Sequence, residues 1–337
     1  MNTILRAASF LVFTMTCSPF LFAQSSVVCT NSILADIAQN IGGEEVNVLS
    51  IVPVGSDPHI YEPVPGNIQQ IRNADLIILN GLNLENWLNK IIVNSGFNGI
   101  SLIAADGIKD VITAPEFKSY DPHAWMNPMH GIQYARNICD GLIQLLPEKA
   151  EFFERNFAIY KRQLELLDEE IHQKFSFLSD SQRILITSHD AFRYFGYRYH
   201  LEVEPLMGIS TEADLQVSDI RRISELLTNS KVKAIFVETT INPKLMQQLS
   251  HDFGVLLAAP LFADSLGDEN TEAGTYIGML SYNANTISAA LSGEDTRSGA
   301  MINASFTEKS LFMSVGILVS FMGILFLGMV RLLNRGI

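Results

Sequence analysis

The sequence predicts an α/β protein of two lobes, each a parallel sheet flanked by helices, joined by one long helix and followed by a C-terminal transmembrane helix. Short apolar runs alternate with amphipathic stretches in two separate parts of the chain. Such alternation is typical of parallel strands that are covered by helices on both faces. A long amphipathic stretch separates the two parts, and an uncharged apolar run stands near the C-terminus.

The first alternating set predicts an N-terminal lobe over residues 24–146. Its apolar runs predict four strands, at Val27–Thr30, Val46–Val54, Leu76–Leu79 and Ile100–Ala104. Helical spacing between and after these runs predicts helices at Ser32–Asn40, Ile68–Arg72, Leu84–Val93 and Asn127–Leu146. Gly42 and Gly43 stop the first helix, and Pro128 opens the last.

The stretch 147–178 predicts one helix that connects the lobes. Apolar residues recur there at gaps of three and four, which marks one helical face: Phe153, Phe157, Tyr160, Leu164, Leu167 and Ile171. A helix of about 30 residues is about 45 Å long, which is the breadth of a two-lobed protein.

The second alternating set predicts a C-terminal lobe over residues 179–291. Its predicted strands are Ile184–Thr187, Ala234–Val237 and Val255–Ala259. Its predicted helices are Ile220–Thr228, Leu245–Phe253 and Thr275–Leu291. Small and polar residues over 292–309 predict a linker.

Residues 1–23 have the three-part pattern of a secretory signal peptide. Arg6 precedes the apolar stretch Ala7–Phe13, and Ala23 offers a small residue at the predicted cleavage site. Cys17 is an alternative, as a lipidated cysteine, although the two residues before it fit that signal poorly.

Residues 310–332 predict a transmembrane helix. The run Leu311–Val330 contains no charged residue, and about 20 helical residues cross a hydrocarbon core of about 30 Å. Arg331 and Arg335 follow it, which favours a cytoplasmic C-terminus. We therefore predict a protein at the periplasmic face of the cytoplasmic membrane, anchored in the inner membrane by this helix.

Charge and cysteine usage narrow the possible functions. The formal net charge is −13 and the sequence pI is about 5.0, which argues against a nucleic-acid partner because phosphate binding needs a basic face.

Cys29 and Cys139 would remain after the signal peptide is removed, and in an oxidising compartment they could form a bridge. The pattern favours two buried thiols instead, one on a strand and one on a helix.

The tripeptide Asp-Pro-His occurs twice and presents two candidate metal ligands, His59 and His123. Proline fixes its own φ and keeps the preceding residue out of the α-region, so each histidine follows a stiff, extended segment. A stiff loop lowers the entropy that is lost when a ligand is ordered around an ion.

Two further candidates, His189 and Asp264, come after predicted strands of the second set. Ligand crevices form at the carboxyl ends of parallel strands, so we expect all four side chains to meet between the lobes. Three imidazoles and a carboxylate, with no thiolate, suit one divalent ion of zinc, manganese or iron. The remaining histidines lack this context and are predicted to lie outside the site: His130, His172, His200 and His251.

Four segments together resemble the metal-binding solute-binding proteins of ABC importers for zinc, manganese and iron, most closely the TroA-like group. They are Pro53–Pro63, Asp121–Pro128, Thr187–Gly196 and Phe262–Gly267, and the resemblance covers about residues 27 to 291. It implies two α/β lobes on a single long helix, a transported metal ion as the ligand, and ABC permease membrane subunits as the partner. Glu238 also resembles a glutamate that is common in the family.

Two features depart from the family pattern. Zinc-dedicated relatives often insert a histidine-rich loop before the second histidine, whereas Thr113–Tyr120 contains none. A C-terminal membrane helix is also unusual, since relatives commonly carry a lipidated N-terminal cysteine or float free.

Capture and delivery of a metal ion is thus the predicted function, and two alternatives differ from it in class. A metal-dependent hydrolase would need a general base and an open coordination position for water. Four protein ligands would fill that open position. A surface adhesion protein is the second alternative, and no repeats support it.

Overall fold

The computed structural model describes residues 24–114, 119–209, 211, 215–230 and 232–293. The predicted signal peptide (1–23), most of the predicted linker (292–309) and the predicted transmembrane helix (310–332) lie outside the described residues. Within the described ranges, no helix is both long and apolar enough to cross a membrane. The described chain contains two parallel sheets flanked by helices, as predicted; each has four strands, and one strand of the second sheet, Glu202–Pro205, was not predicted.

The first sheet contains β1 (Ser25–Cys29), β2 (Val46–Ser50), β3 (Leu76–Leu79) and β4 (Ile100–Ile103), in the order β2-β1-β3-β4 with every pair parallel. All four residues of β3 are buried, as expected for a strand covered on both faces. Its helices are α1 (Ser32–Gly42), α2 (Pro65–Arg72), α3 (Leu88–Ser95) and α4 (Pro128–Leu145).

The predicted second strand is four residues too long at its end. β2 ends at Ser50 and not at Val54, although backbone bonds to the first strand continue through Val52. Pro53 then has no N–H to donate, and its carbonyl accepts from Ser56 N across a turn in which Gly55 has φ +81°. This turn begins the loop that carries His59.

The second sheet contains β7 (Ile184–Thr187), β8 (Glu202–Pro205), β9 (Ala234–Ile235) and β10 (Leu256–Leu257), in the parallel order β10-β9-β7-β8. Between the sheets in sequence, β5 (Thr113–Ala114) and β6 (Ser119–Tyr120) form a small antiparallel pair. The helices of this half are α6 (Arg193–Tyr199), α7 (Val217–Asn229), α8 (Lys244–Phe253) and α9 (Tyr276–Ser292).

One helix, α5 (Ala150–Ser176), follows α4 and leads to the second sheet. Its 27 residues fall within the predicted stretch 147–178, and its buried face includes Phe153, Tyr160, Leu164 and Ile171. Lobe boundaries at residues 146 and 179 stay predictions.

The two cysteines of the described chain are free and buried, Cys29 on β1 and Cys139 on α4. The prediction of two separate thiols is confirmed, and the alternative of a bridge is wrong.

Candidate metal centre

The four predicted ligand residues come together at one place. His59, His123, His189 and Asp264 each offer one atom, and these atoms all lie within 4.8 Å of one another. The Nε2 atoms of His59 and His123 are 3.1 Å apart. Asp264 reaches His123 Nε2 with Oδ1 at 3.3 Å and His189 Nε2 with Oδ2 at 3.2 Å. Three of the residues are buried and His59 is partly buried.

His59 is placed by its own loop and by a tryptophan. Asp57 Oδ1 accepts from the His59 backbone N–H at 2.8 Å, which forms a tight turn around Pro58. Trp87 Nε1 donates to the Pro58 carbonyl at 2.9 Å. The two contacts fix both polar groups of the Pro58–His59 peptide, directly before the His59 side chain.

His123 stands directly before a short 3₁₀ turn, Ala124–Met126, that leads into α4. Asp121 Oδ1 lies 2.8 Å from its ring Nδ1 and accepts from its backbone N–H at 3.0 Å. A hydrogen on Nδ1 directed at this carboxylate leaves the Nε2 lone pair of the neutral ring for an ion. Asn80 Nδ2 holds the Pro122 carbonyl at 3.1 Å.

His189 comes two residues after β7. Its Nδ1 lies 3.7 Å from Glu238 Oε2, beyond a hydrogen bond, and Glu238 itself bonds to Ser188 Oγ. Thr187 Oγ1 donates to the His189 carbonyl at 2.9 Å. The second sheet therefore positions this histidine.

Asp264 lies in the loop between β10 and α9, and it is 1% exposed. Neither carboxylate oxygen has a hydrogen-bond partner of suitable geometry, and the same holds for His189 Nε2. Buried polar groups are normally satisfied. A cation at the common centre would satisfy all three atoms, so the residues fit a metal ion.

Electrostatics in the metal-free site favour protonated rings around a charged carboxylate. Burial lowers the pKa of His123, but the carboxylates of Asp121 and Asp264 outweigh it and raise that pKa to about 9. The pKa of His189 is raised in the same way by Asp264 and Glu238 against the effect of burial. Burial alone would raise the pKa of Asp264, yet the imidazoles hold it well below its usual range. An incoming cation must therefore displace protons.

The candidate ligands follow the strand ends at different distances along the chain. Only His189 directly follows a strand. His59 comes nine residues after the end of β2, which is shorter than predicted. Asp264 comes seven residues after the end of β10 and three after Leu261, whose bridge to Glu238 extends the second sheet. The long loops reach the centre because side chains from other elements hold them.

Among the described residues, the other histidines lie outside this group of four. His130 packs edge-on against the Tyr194 ring at 5.3 Å, and His172 packs against Tyr199. His200 caps α6, and His251 is an exposed neighbour of Asp252.

The supporting roles of two residues, Asp121 and Trp125, were not predicted from the sequence. Asp121 belongs to the Asp-Pro-His motif, where only the proline and histidine were interpreted. Trp125 follows the motif by two residues, and its indole Nε1 donates to the Ala263 carbonyl at 2.9 Å. The role of Asp121 could have been predicted from the motif. The role of Trp125 could not, because it depends on a contact between residues 138 positions apart.

Comparison with known proteins identifies the family of the chain. Residues 27–290 match the family described as zinc-uptake complex component A, periplasmic. The metal ABC transporter substrate-binding lipoprotein SsaB of Streptococcus sanguinis is 37% identical over 274 residues, which is 79% of this chain and 88% of that protein. The manganese ABC transporter substrate-binding lipoprotein PsaA of Streptococcus pneumoniae is 36% identical over 273 residues, with the same coverage.

A solved structure extends the likeness to three dimensions. The periplasmic zinc-binding protein TroA from Treponema pallidum superposes with a TM-score of 0.76 at 31% identity, covering 80% of this chain and 99% of that one. These relatives are solute-binding proteins and not enzymes, as predicted. The chain therefore belongs to the periplasmic zinc-uptake component A family, as a TroA-like metal-binding solute-binding protein of ABC transporters.

Proposed function

We propose that this protein captures one divalent transition-metal ion with His59, His123, His189 and Asp264, outside the cytoplasm, and delivers it to the permease of an ABC importer. The observation that carries the proposal is the buried Asp264 carboxylate, which has no hydrogen-bond partner and faces three imidazoles within 3.8 Å. The relatives' names, which refer to substrate binding for ABC transport of metal, support the delivery step.

The transported ion is zinc, manganese or iron in this proposal. Imidazole and carboxylate ligands accept all three, and the relatives are named for manganese or zinc. In the purified protein we expect zinc to bind more tightly than manganese, because affinities of such sites follow the Irving–Williams order. The Irving–Williams order concerns the affinity of the isolated site. Which ion the protein carries in the cell also depends on which metal is available.

Four protein ligands also favour transport over hydrolysis. A catalytic zinc ion keeps one position open for water, and here the fourth position is filled by a protein side chain. Asp121 and Glu238 are further carboxylates beside the centre, but each faces the Nδ1 side of a ligand ring, away from the shared Nε2 atoms. No contact in the described chain favours adhesion.

Zinc affinity of single alanine variants tests the site. Replacing any of His59, His123, His189 or Asp264 should weaken zinc binding at least tenfold, because each removes one of four ligands. His251→Ala is the matched control, since this histidine is exposed and distant from the centre. An unchanged zinc affinity in a site variant whose circular dichroism is normal would remove that residue from the site.

The anchor is part of the proposal as well. We propose the run Leu311–Val330 as a C-terminal membrane anchor, on its sequence alone. The relatives are named lipoproteins, which supports the alternative of a lipid on Cys17.

A further inference from the structure

We infer that Trp125 is a positioning residue that mounts Asp264 on the first half of the molecule, so that Asp264, His59 and His123 form one unit and His189 alone belongs to the other half. This inference rests on the proposed function. It is unexpected from the sequence, because Asp264 lies in the second half of the chain, far beyond α5.

Trp125 contacts both parts of the centre. It is fully buried in the short turn after His123, and the two ring centroids are 5.3 Å apart with the planes at 70°. Its Nε1 donates to the Ala263 carbonyl at 2.9 Å, in a buried hydrogen bond. The Trp125 carbonyl in turn accepts from the Tyr276 hydroxyl. One residue thus supports His123 with its ring and the Asp264 backbone with its indole N–H.

Two more hydrogen bonds attach the other side of Asp264 to the first half. Ser265 Oγ accepts from the Gly55 backbone N–H at 2.7 Å, in the loop that leads to His59. The Leu266 N–H donates to Ser32 Oγ, at the start of α1, at 3.0 Å. Asp264 is therefore held on both sides by hydrogen bonds to residues of the first half of the chain.

Just before Asp264, the hydrogen-bond partners of the loop change from the second half of the chain to the first. Leu261 still bonds to Val237 as an extension of the second sheet, at 2.9 Å. Asn283 of α9 then pairs with both backbone groups of Phe262. From Ala263 onward the side-chain bonds named above run to the first half. The change between residues 262 and 263 marks a pivot.

His189 has the opposite attachment. The Ser188 carbonyl accepts from Met207 N at 2.9 Å, and Asp190 N donates to the Gly208 carbonyl. Glu238, which faces its ring, follows β9 of the second sheet. One bond joins the two sides near the centre, since Thr211 Oγ1 donates to Asp57 Oδ2 at 2.6 Å in the loop that carries His59. Of the four candidate ligands, His189 is thus the one whose backbone and ring are held by the second sheet and its loops.

The chain provides a matched control for Trp125. Its other tryptophan, Trp87, makes the same kind of bond to Pro58, the residue before His59. Trp→Phe removes the indole N–H and one ring at either position. The two variants therefore make the same chemical change, but the lost N–H of Trp125 holds the residue before Asp264, whereas that of Trp87 holds the residue before His59.

Double-mutant cycles on zinc affinity separate these roles, because a positioning residue acts only through the ligand that it places. Trp125→Phe should weaken zinc binding about threefold to tenfold, as expected for a lost buried hydrogen bond. That loss should be much smaller in an Asp264→Ala background, where only the ring contact with His123 remains to be disturbed, and it should persist in full in a His59→Ala background. Trp87→Phe should show the reverse pattern. Three remaining ligands keep zinc binding measurable in both backgrounds.

Hydrogen exchange of the metal-free protein gives a second readout that needs no ion. Trp125→Phe should raise amide exchange in the peptide that spans residues 262–267, whereas Trp87→Phe should leave that peptide unchanged. Should Trp125→Phe fail to fold, Ser265→Ala removes the neighbouring bond with a smaller change and should give the same two results.

The outcomes distinguish this inference from the proposed function. Equal zinc losses from Trp125→Phe in all backgrounds, with unchanged exchange at 262–267, would overturn the positioning role. If Asp264→Ala and His59→Ala left zinc affinity unchanged, the proposed metal site would fail. In that case the exchange experiment would still decide whether Trp125 holds the loop.

Discussion

At the scale of single residues, the centre is defined by protons as much as by ligand atoms. Four ligand groups converge with no hydrogen bond to Asp264, and Asp121 and Glu238 stand behind two of the rings. Each carboxylate favours a protonated imidazole in the empty protein. Metal and protons therefore compete for the same nitrogen atoms.

Metal affinity should rise with pH well beyond the usual range for histidine. In the metal-free protein the pKa of His123 is raised to about 9, so an ion must displace its proton at every lower pH. Affinity should fall from pH 7 to 5 and should still increase between pH 7 and 8.5, by up to tenfold per unit for each proton displaced. Competition titrations with a chelator would measure this, and a plateau above pH 7 would contradict the raised pKa.

The thermal stability of the metal-free protein should fall as pH rises, whereas its metal affinity should increase. A raised histidine pKa stabilises the metal-free fold below the unfolded value of about 6.5, and this contribution is lost as pH rises through about 9. The increase in Tm on adding metal should therefore grow from pH 6 to 8.5. A shift that shrinks over this range would contradict proton displacement.

Removing the carboxylate behind His123 should weaken metal binding even though no ligand is lost. Asp121→Ala should reduce affinity about 10- to 100-fold, because it frees the ring that Asp121 orients. Asp121→Asn keeps an oxygen acceptor at the same place and should cost less. An Asn variant that binds worse than the Ala variant would contradict an orienting role.

At the scale of elements, strong patterns were predicted well and weak ones were missed. Leu76–Leu79 was found because a continuous apolar run marks a strand that is buried on both faces. β8 was missed because Glu202–Pro205 alternates charged and apolar residues, ends in proline, and pairs with β7 alone at the sheet edge. The helix α6 is only seven residues long, which is too short for a periodic signal.

The same contrast holds for the site. His59 and His123 could be predicted as candidate ligands because Asp-Pro-His loops are local, and proline restricts them within three residues. His189 and Asp264 were predicted from their positions after apolar strand runs. The bond from Trp125 to Ala263 could not, since it joins residues 138 positions apart and has no periodicity. Local stiffness is thus readable in sequence, whereas long-range support requires the fold.

The attachment of α6 to α5 supplies a test of stability. Asp168 on α5 is buried, accepts from Arg198 Nε and Tyr199 OH at 2.9 and 3.0 Å, and so ties the element after His189 to the long helix. Asp168→Ala should lower the free energy of unfolding by about 2 kcal/mol, less than for a fully buried pair because Arg198 is partly exposed.

Denaturant unfolding would measure this change. Glu169→Ala is the control, since the neighbouring side chain is exposed and should alter stability by no more than about 0.5 kcal/mol. Equal stability of the two variants would show that the Asp168 contacts contribute little.

At the scale of the whole molecule, the metal centre and the predicted anchor are separate in sequence. No proposed ligand lies beyond Asp264, and α9 ends at Ser292 with Gly293 at φ +81° as its cap. Truncation after Gly293 should therefore release a soluble protein with full metal affinity. Membrane fractionation and a zinc titration would measure the two properties.

Two outcomes of the truncation would change the interpretation. A truncated protein that still pellets with membranes would favour a lipid on Cys17 as the anchor. A loss of zinc binding would show that the residues after Gly293 contribute to the centre.

The unpaired Asp264 carboxylate also bears on how long the empty protein survives. A ligand that binds only the folded state stabilises it by about 4 kcal/mol at a thousand times its dissociation constant. Proteases act on the transiently opened chain, whose population falls as that stabilisation grows. Receptors without an ion should therefore be degraded faster than loaded ones, so that metal scarcity would shorten the lifetime of the protein that collects the metal.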